Sequence, residues 1–210
     1  MKGLLSRIIS NRSPSPSAAE TPRPVFVVSG LPRSGTSMMM KMLEAGGLEV
    51  ISDGIRTADD DNPKGYYEFE RVKDLDKGDT AWVADARGKV VKVISALLQH
   101  LPPEYRYKVI FMDRKMEEVL ASQRKMLQRR GEQSDVDDET MGRLLAKHVQ
   151  HVKAWLREQP NFECLEVSYN GVLEEPLPYV REVIRFLGED LDEARMLEVV
   201  EPALYRNRAT

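Results

Sequence analysis

The stretch PVFVVSGLPRSGTSMMMKML, from Pro24 to Leu43, determines the fold of this chain. Its first part, Val25 to Ser29, is a continuous apolar run rich in β-branched residues, which is typical of a strand buried on both faces. A glycine loop follows, and a helix is predicted to begin near Ser34 to Thr36. The first amides of a helix have no partner within it and the helix dipole is positive there, so the stretch predicts an anion site.

The rest of the chain alternates apolar, strand-like runs with helical patterns. This alternation predicts an α/β domain of three layers, α/β/α, with a central and mostly parallel sheet like that of the P-loop NTPases. The further predicted strands are Leu48 to Ser52, Gly88 to Ser95, Tyr107 to Arg114 and Phe162 to Tyr169.

Length and composition favour one globular domain. A chain of 210 residues suits a single core, and no apolar run approaches the roughly 20 residues that cross a bilayer, so no membrane span is predicted. Residues 1–23 are rich in Ser and Pro and are predicted to form a disordered tail before a domain at 24–210. We expect a cytoplasmic protein whose oligomeric state the sequence leaves open.

Charge and cysteine content narrow the functions further. The formal net charge is −3, so a bound anion must be held by a local cluster, and a nucleic-acid partner is disfavoured. Cys164 is the only cysteine, which excludes an internal disulfide and a multi-cysteine metal site. Its apolar surroundings predict a buried, unreactive side chain.

The loop differs from that of a nucleotide triphosphatase at one decisive position. Thr36 stands where such an enzyme carries the lysine for the β- and γ-phosphates, and a basic residue appears instead at Arg33. The nearest candidate for a second magnesium anchor is Asp113, at the end of VIFMD. The hypothesis of an ATP hydrolase is therefore less favoured than that of a loop that binds one phosphate without a metal.

Two distant motifs carry a family resemblance. LPRSGTS resembles the 5′-phosphosulfate loop of the sulfotransferases that use PAPS, which is 3′-phosphoadenosine 5′-phosphosulfate. In VIFMDRKMEEVLASQ, Arg114 is followed eight residues later by Ser122, a pair that resembles the family's 3′-phosphate anchor. The resemblance implies a PAPS donor, no metal, and a cofactor loop made of Arg33, Ser34, Gly35, Thr36 and Ser37.

Two weaker similarities extend the resemblance to the C-terminus. LEVSYNGVLEEP resembles the family segment in which a tyrosine contacts the adenine, here Tyr169 at the predicted end of a strand. LYRNR resembles a late basic segment that completes the 3′-phosphate pocket, which implies a role for Arg206 or Arg208.

The catalytic residues are less defined. The resemblance assigns Arg33 to the charge on the leaving oxygen, while Lys92 either assists near the sulfuryl group or merely ends a strand. Many members use a histidine shortly after this lysine, but Ile94 stands there. NPKGYYEFE resembles the acceptor-side loop of some bacterial members, so Glu68 is the leading base, with a solvated loop carboxylate as the alternative. His148 lies in an apolar helical stripe and is predicted to be a core histidine.

The resemblance implies transfer of a sulfuryl group from PAPS to a hydroxyl or amine of a small-molecule or carbohydrate acceptor. Two alternatives stay open on the sequence. One is a P-loop phosphotransferase, and the other is a non-catalytic nucleotide-binding protein that keeps the cradle but has lost its base.

Overall fold

A computed structural model describes residues 22–54, 67–132 and 134–200. Its centre is a parallel sheet of five strands in the order β2-β3-β1-β4-β5. The strands are β1 (Val25–Gly30), β2 (Val50–Ile51), β3 (Val90–Lys92), β4 (Tyr107–Asp113) and β5 (Phe162–Ser168). The predicted parallel sheet is confirmed.

Helices lie on both faces of this sheet. The α-helices are α1 (Thr36–Ala45), α2 (Met116–Arg130), α3 (Asp138–Glu158), α4 (Tyr169–Glu174), α5 (Pro176–Leu187) and α6 (Glu193–Glu198). Three 3₁₀ helices cover Glu70–Lys77, Ala81–Ala86 and Ser95–His100. Within the described ranges, no helix combines the length and apolar character that a bilayer crossing requires.

Strand β1 divides the core into two halves. Phe26 and Val28 point into a cluster built with α1, α4, α5 and α6, whereas Val25 and Val27 point into a cluster beneath α3 and the 3₁₀ helices. Every residue of β1 is buried. Successive side chains of a strand alternate between faces, so an unbroken apolar run is what a central strand between two layers requires. The predicted three-layer architecture is confirmed.

The single cysteine lies elsewhere than predicted. Cys164 is exposed, because β4 is the only partner of β5 among the described strands and most residues of β5 are not fully buried. The expectation of a buried thiol was therefore wrong. An apolar run in the sequence does not distinguish an edge strand from a central one.

The topology places the candidate site. Strand β1 lies between β3 and β4, and the chain leaves β1 toward β2 but later crosses to β4 on the other side. At such a switch point the two connections diverge and leave a crevice outside the carboxyl ends of the strands, where α/β proteins bind ligands. The loop after β1 and the residues after β4 meet there.

Candidate active site

The loop between β1 and α1 is closed by Ser34. Its amide and its hydroxyl both donate to the carbonyl of Leu31, at 3.2 Å and 2.7 Å, and the residue is only 2% exposed. Ser34 therefore fixes the turn that shapes the loop. Its predicted direct contact with a cofactor stays a prediction.

Gly35 is the N-terminal cap of α1 and has a left-handed backbone, with φ of 97°. A Cβ atom at this position would lie 2.2 Å from Cδ2 of Tyr169. A side chain would thus meet both backbone strain and a rigid ring. The loop and the start of α4 approach each other this closely because residue 35 is glycine.

The start of α1 can receive an anion. The first helical hydrogen bond runs from the amide of Met39 to the carbonyl of Gly35 at 3.2 Å, so the amides of the first turn precede the hydrogen-bonding pattern of the helix. The first turn carries no acidic residue. Amides that precede the first helical hydrogen bond and the positive end of the helix dipole favour negative charge there.

Arg33 joins the loop to the second predicted anchor. Its φ is 71°, an uncommon angle for a residue with a side chain. Its Nε donates to the Ser122 hydroxyl at 2.9 Å, and its carbonyl accepts a hydrogen bond from Arg114 at 3.0 Å. Arg33, Ser122 and Arg114 come from distant segments of the chain and were predicted to share one site. The structure brings them into contact.

Arg114 follows β4 and lies almost entirely out of solvent, with 8% of its side chain exposed. Its guanidinium carbon is 4.5 Å from the centre of the Tyr169 ring, and its Nε donates to Glu118 at 3.0 Å. A guanidinium stacked on an aromatic face is a favourable and well-oriented contact. Arg114, Tyr169 and the loop thus form one packed group.

Tyr169 was predicted to end a strand, and that prediction was wrong. Tyr169 begins α4, because Ser168 accepts a hydrogen bond from the amide of Gly171 at 3.1 Å and so caps a new helix. The ring is turned beneath Arg114 instead of continuing the alternation of β5. Burial raises the pKa of the Tyr169 hydroxyl, so the phenol is neutral at physiological pH. Its predicted adenine contact stays a prediction.

Sequence reasoning missed Glu118 and Asn170. Glu118 lies one helical turn after Arg114, has no exposed side-chain surface and accepts two hydrogen bonds from Asn170, at 3.0 Å and 3.1 Å. Opposite charges four residues apart on a helix were a visible signal in the sequence. Nothing in the sequence indicated the burial of this pair, because its cover comes from α4.

Glu68 and Lys92 lie together on the other side of the crevice. Oε1 of Glu68 is 4.0 Å from Nζ of Lys92, and its Oε2 is 3.9 Å from Nζ of Lys73. Ile94, which occupies the position of the family's histidine, is 45% exposed. The structure therefore offers a carboxylate flanked by two lysines where the sequence predicted an acceptor-side base.

The backbone around Glu68 is tied at two points. The amide of Asp53 donates to the carbonyl of Glu68 at 3.2 Å, and the carboxylate of Asp53 accepts from the amide of Glu70 at 2.6 Å. Tyr67 has a φ of 52° and donates its hydroxyl to Glu44 at 2.6 Å. Burial and this carboxylate raise the pKa of Tyr67. Glu68 is therefore held between α1 and the end of β2.

Two other sequence candidates have structural partners. Nε2 of His148 lies 2.9 Å from the buried Ser95 hydroxyl, as expected for a core histidine, and burial lowers the pKa of the ring. Asp113, the nearest candidate for a magnesium anchor, forms an ion pair with Lys153 at 2.8 Å. The described ranges contain no group of three or more His, Cys, Asp and Glu side chains able to hold a metal. Arg206 and Arg208 lie outside the described residues.

Comparison with known proteins identifies the family. Residues 23–208 match the family model described as the sulfotransferase domain. The fold is similar to that of the sulfotransferase domain from the curacin biosynthetic pathway, with a TM-score of 0.51 and 16% identity over 85% of this chain and 78% of that one. This second likeness supports the fold alone.

Two further solved structures have lower similarity scores to this chain. Retinol dehydratase in complex with androsterone and inactive cofactor PAP has a TM-score of 0.48 and 18% identity, over 85% of this chain and 64% of that one. A mouse sulfotransferase complexed with PAP has a TM-score of 0.46 and 17% identity, over 85% of this chain and 62% of that one. A search of curated protein sequences gave no significant match.

Proposed function

Because the chain belongs to the sulfotransferase family, we propose that it moves the sulfuryl group of PAPS to a hydroxyl or amine on a small-molecule or carbohydrate acceptor. One observation carries this proposal. Arg33 donates to Ser122 and accepts from Arg114, at 2.9 Å and 3.0 Å, so the glycine loop and the strand-end pair form a single site. That site has the groups needed for a nucleotide with phosphates at both its 5′ and 3′ positions.

The 5′-phosphosulfate is assigned to the start of α1. The amides of Thr36, Ser37 and Met38 precede the first helical hydrogen bond and supply donors for its oxygens. The hydroxyls of Thr36 and Ser37 lie in the same first turn. Gly35 allows the loop to pack against the Tyr169 ring, while Ser34 holds the turn.

The 3′-phosphate is assigned to Arg114 and Ser122. A guanidinium presents five N–H groups in a planar fork that matches phosphate oxygens. Two N–H groups of Arg114 are used by Glu118 and by the carbonyl of Arg33. No described residue accepts from the other three, which are assigned to the phosphate. Tyr169 is assigned to the adenine ring and Arg206 to the rim of the phosphate pocket.

The donor supplies an activated sulfuryl group, and the protein must orient the acceptor and stabilise charge on the leaving oxygen. Arg33 is assigned to that charge, since it carries the permanent positive charge of the loop. Lys92 is assigned to the sulfuryl oxygens. No metal is required by this assignment, because cationic side chains and amides supply the stabilisation.

Glu68 is assigned as the general base. It accepts the proton of the acceptor hydroxyl or amine as the oxygen or nitrogen bonds to sulfur. Lys92 and Lys73 lie within 4.0 Å and 3.9 Å of its carboxylate oxygens and help to hold the carboxylate in place. The hydrogen bonds of Asp53 keep this segment in place.

The test follows sulfur-labelled PAPS into a pool of phenolic, alcoholic, amine and carbohydrate acceptors. We expect label in at least one acceptor together with release of adenosine 3′,5′-bisphosphate, the product called PAP. Binding of PAP without transfer to any acceptor would indicate a non-catalytic nucleotide-binding protein. Phosphoryl transfer from ATP, with no sulfuryl transfer from PAPS, would indicate a phosphotransferase.

A further inference from the structure

Glu118 is a buried carboxylate that none of the assignments above uses. It is 1% exposed as a residue, its side chain has no exposed surface, and it lies in the first turns of α2. A carboxylate away from water is costly unless it is paired and fully hydrogen-bonded. Its position one helical turn after Arg114 therefore calls for a physical explanation.

Two described side chains, those of Arg114 and Asn170, donate hydrogen bonds to this carboxylate. Oε2 accepts from Nε of Arg114 at 3.0 Å, and the side-chain nitrogen of Asn170 donates to Oε1 at 3.0 Å and to Oε2 at 3.1 Å. Asn170 is itself only 6% exposed, and its oxygen accepts from the amide of Lys115 at 3.3 Å. Asn170 thus connects α4 to the start of α2 and holds the carboxylate that pairs with Arg114.

This arrangement leaves the Arg114 guanidinium little freedom. The Nε of Arg114 donates to Glu118, and its NH1 group donates to the carbonyl of Arg33 at 3.0 Å. Its guanidinium carbon lies 4.5 Å from the centre of the Tyr169 ring, over the face of that ring. Contacts from three directions determine both the place and the orientation of the fork. The three remaining N–H groups therefore point in a direction set by α2, α4 and the loop together.

We propose that Glu118, held by Asn170, is a positioning residue that orients Arg114 toward the 3′-phosphate of the donor. The inference rests on the proposed function, because it assumes that Arg114 receives this phosphate. Pre-ordering a flexible side chain removes an entropic cost that binding would otherwise include. Glu118 contributes in this way although its own charge repels the phosphate.

The opposing effects of charge and order make the proposal testable. Glu118→Gln removes a negative charge near the ligand, so electrostatics alone would tighten binding. In either orientation of the introduced amide, its NH2 group faces a donor, which is Asn170 or Arg114, so the arrangement that orders Arg114 is weakened. We expect the loss of order to dominate, with PAP bound about tenfold more weakly.

The experiment measures PAP and AMP by calorimetric titration, since AMP lacks the 3′-phosphate. E118Q is expected to weaken PAP while AMP binding stays unchanged. The double variant E118Q/N170D restores a donor facing an acceptor and is expected to recover most of the PAP affinity. Glu117→Gln makes the same charge change at the exposed neighbouring residue and is expected to leave both ligands unaffected.

Other results would overturn the proposal. Tighter or unchanged PAP binding in E118Q would contradict it. An equal loss of affinity for PAP and AMP would also contradict it, because Glu118 would then have a merely structural role. If E118Q does not fold, Asn170→Ala tests the proposal instead, because it removes the hydrogen bonds of Asn170 to Glu118 and keeps the ion pair between Glu118 and Arg114. We expect this variant to bind PAP more weakly and AMP as well as the wild type does. A wild-type protein that does not prefer PAP over AMP would refute the proposed function itself, whereas a preference for PAP over AMP in E118Q equal to that of the wild type refutes only this inference.

Discussion

Arg114 is assigned to the 3′-phosphate and also pairs with the buried Glu118, so its substitution is expected to affect both ligand binding and stability. Arg114→Ala removes the fork assigned to the 3′-phosphate, and hydrogen bonds to charged groups contribute about 1.5–3 kcal/mol each, so PAP binding should weaken by roughly ten- to a hundredfold. Calorimetric titration measures this change. Arg114→Lys keeps the charge without the planar fork and should recover only part of the affinity. Unchanged affinity in R114A would remove Arg114 from the site.

The same substitution predicts a loss of stability. R114A leaves the Glu118 carboxylate buried without its cation, and breaking a buried ion pair costs about 3–5 kcal/mol. Chemical denaturation should show this decrease in the free energy of unfolding. The double variant R114M/E118Q replaces both charges and should regain most of the stability. A stable R114A protein would show that water or another group reaches Glu118.

The assignment of Glu68 as the general base predicts that its substitution affects turnover and leaves PAP binding unchanged. Glu68→Gln should lower kcat by about a hundredfold or more, the usual contribution of a general base, while PAP affinity stays unchanged. Steady-state kinetics with any acceptor found by labelling gives kcat, and titration gives the affinity. Glu70→Gln is the matched control two residues away, where the side chain pairs with Lys73 on the surface. Equal losses in both variants would argue against a base at Glu68.

Individual residues of the site were predictable where a pattern fixes their place. A strand end and a position two turns into the next helix are geometrically defined, so the family resemblance could be carried over to Arg114 and Ser122 by their spacing. Glu118 has an equally regular spacing from Arg114. Its burial depends on Asn170, which lies 52 residues further along the chain. A single sequence does not reveal such a contact.

The connection between β1 and α1 depends on close packing at Gly35. Gly35→Ala adds a Cβ that would lie 2.2 Å from the Tyr169 ring, in addition to the cost of about 1–2 kcal/mol for a side chain in a left-handed backbone. We expect lower stability and weaker PAP binding, because the ring must move from beneath Arg114.

Gly47→Ala is a control for this change. Gly47 has a φ of 101°, close to the 97° of Gly35, but nothing lies within 4 Å of the position that a Cβ atom would take there. The two variants therefore share the backbone cost and differ in the steric conflict. Thermal unfolding should place G35A below G47A, and only G35A should lose PAP affinity. Equal losses of stability in the two variants would mean that the Tyr169 ring moves aside without an energetic penalty.

Helix α3 should give the protein a pH-dependent stability. Burial, with a smaller effect from His151, lowers the pKa of His148 below its ordinary value of 6.5. As pH falls below about 6.5, the unfolded chain takes up a proton that the folded protein resists, so stability decreases through that window. Melting temperatures from pH 7.5 down to 5 should fall less steeply in His148→Gln than in the wild type. Parallel curves would contradict this role.

Elements with a clear period or a clear cap were predictable, and others were not. The apolar run of β1 and the helix that follows it appear where the sequence placed them. The 3₁₀ helices over Glu70–Lys77 and Ala81–Ala86 were missed, because short 3₁₀ segments have no extended apolar stripe. Tyr169 was placed in a strand because the capping role of Ser168 was not recognised.

The architecture of the whole protein followed from its sequence more reliably than its chemistry did. Continuous apolar strands separated by helices require a parallel sheet covered on both faces, and that is the fold observed. The acceptor side depends on an irregular segment around Glu68, where neither period nor spacing constrains the structure. The site assigned to the donor is therefore built on regular elements, and the site assigned to the acceptor on hydrogen bonds that only the structure reveals.

Thermal stabilisation of the whole protein by PAP, compared with that by ATP and magnesium, decides whether the site takes a nucleotide of the PAPS type. A ligand at a hundred times its Kd adds about 2.7 kcal/mol of stability, which for a domain of this size raises Tm by about 5–10 °C. We expect this rise with PAP, a smaller rise with AMP, and none with ATP and magnesium. A rise with ATP and magnesium and none with PAP would refute the assignment of the site to PAPS.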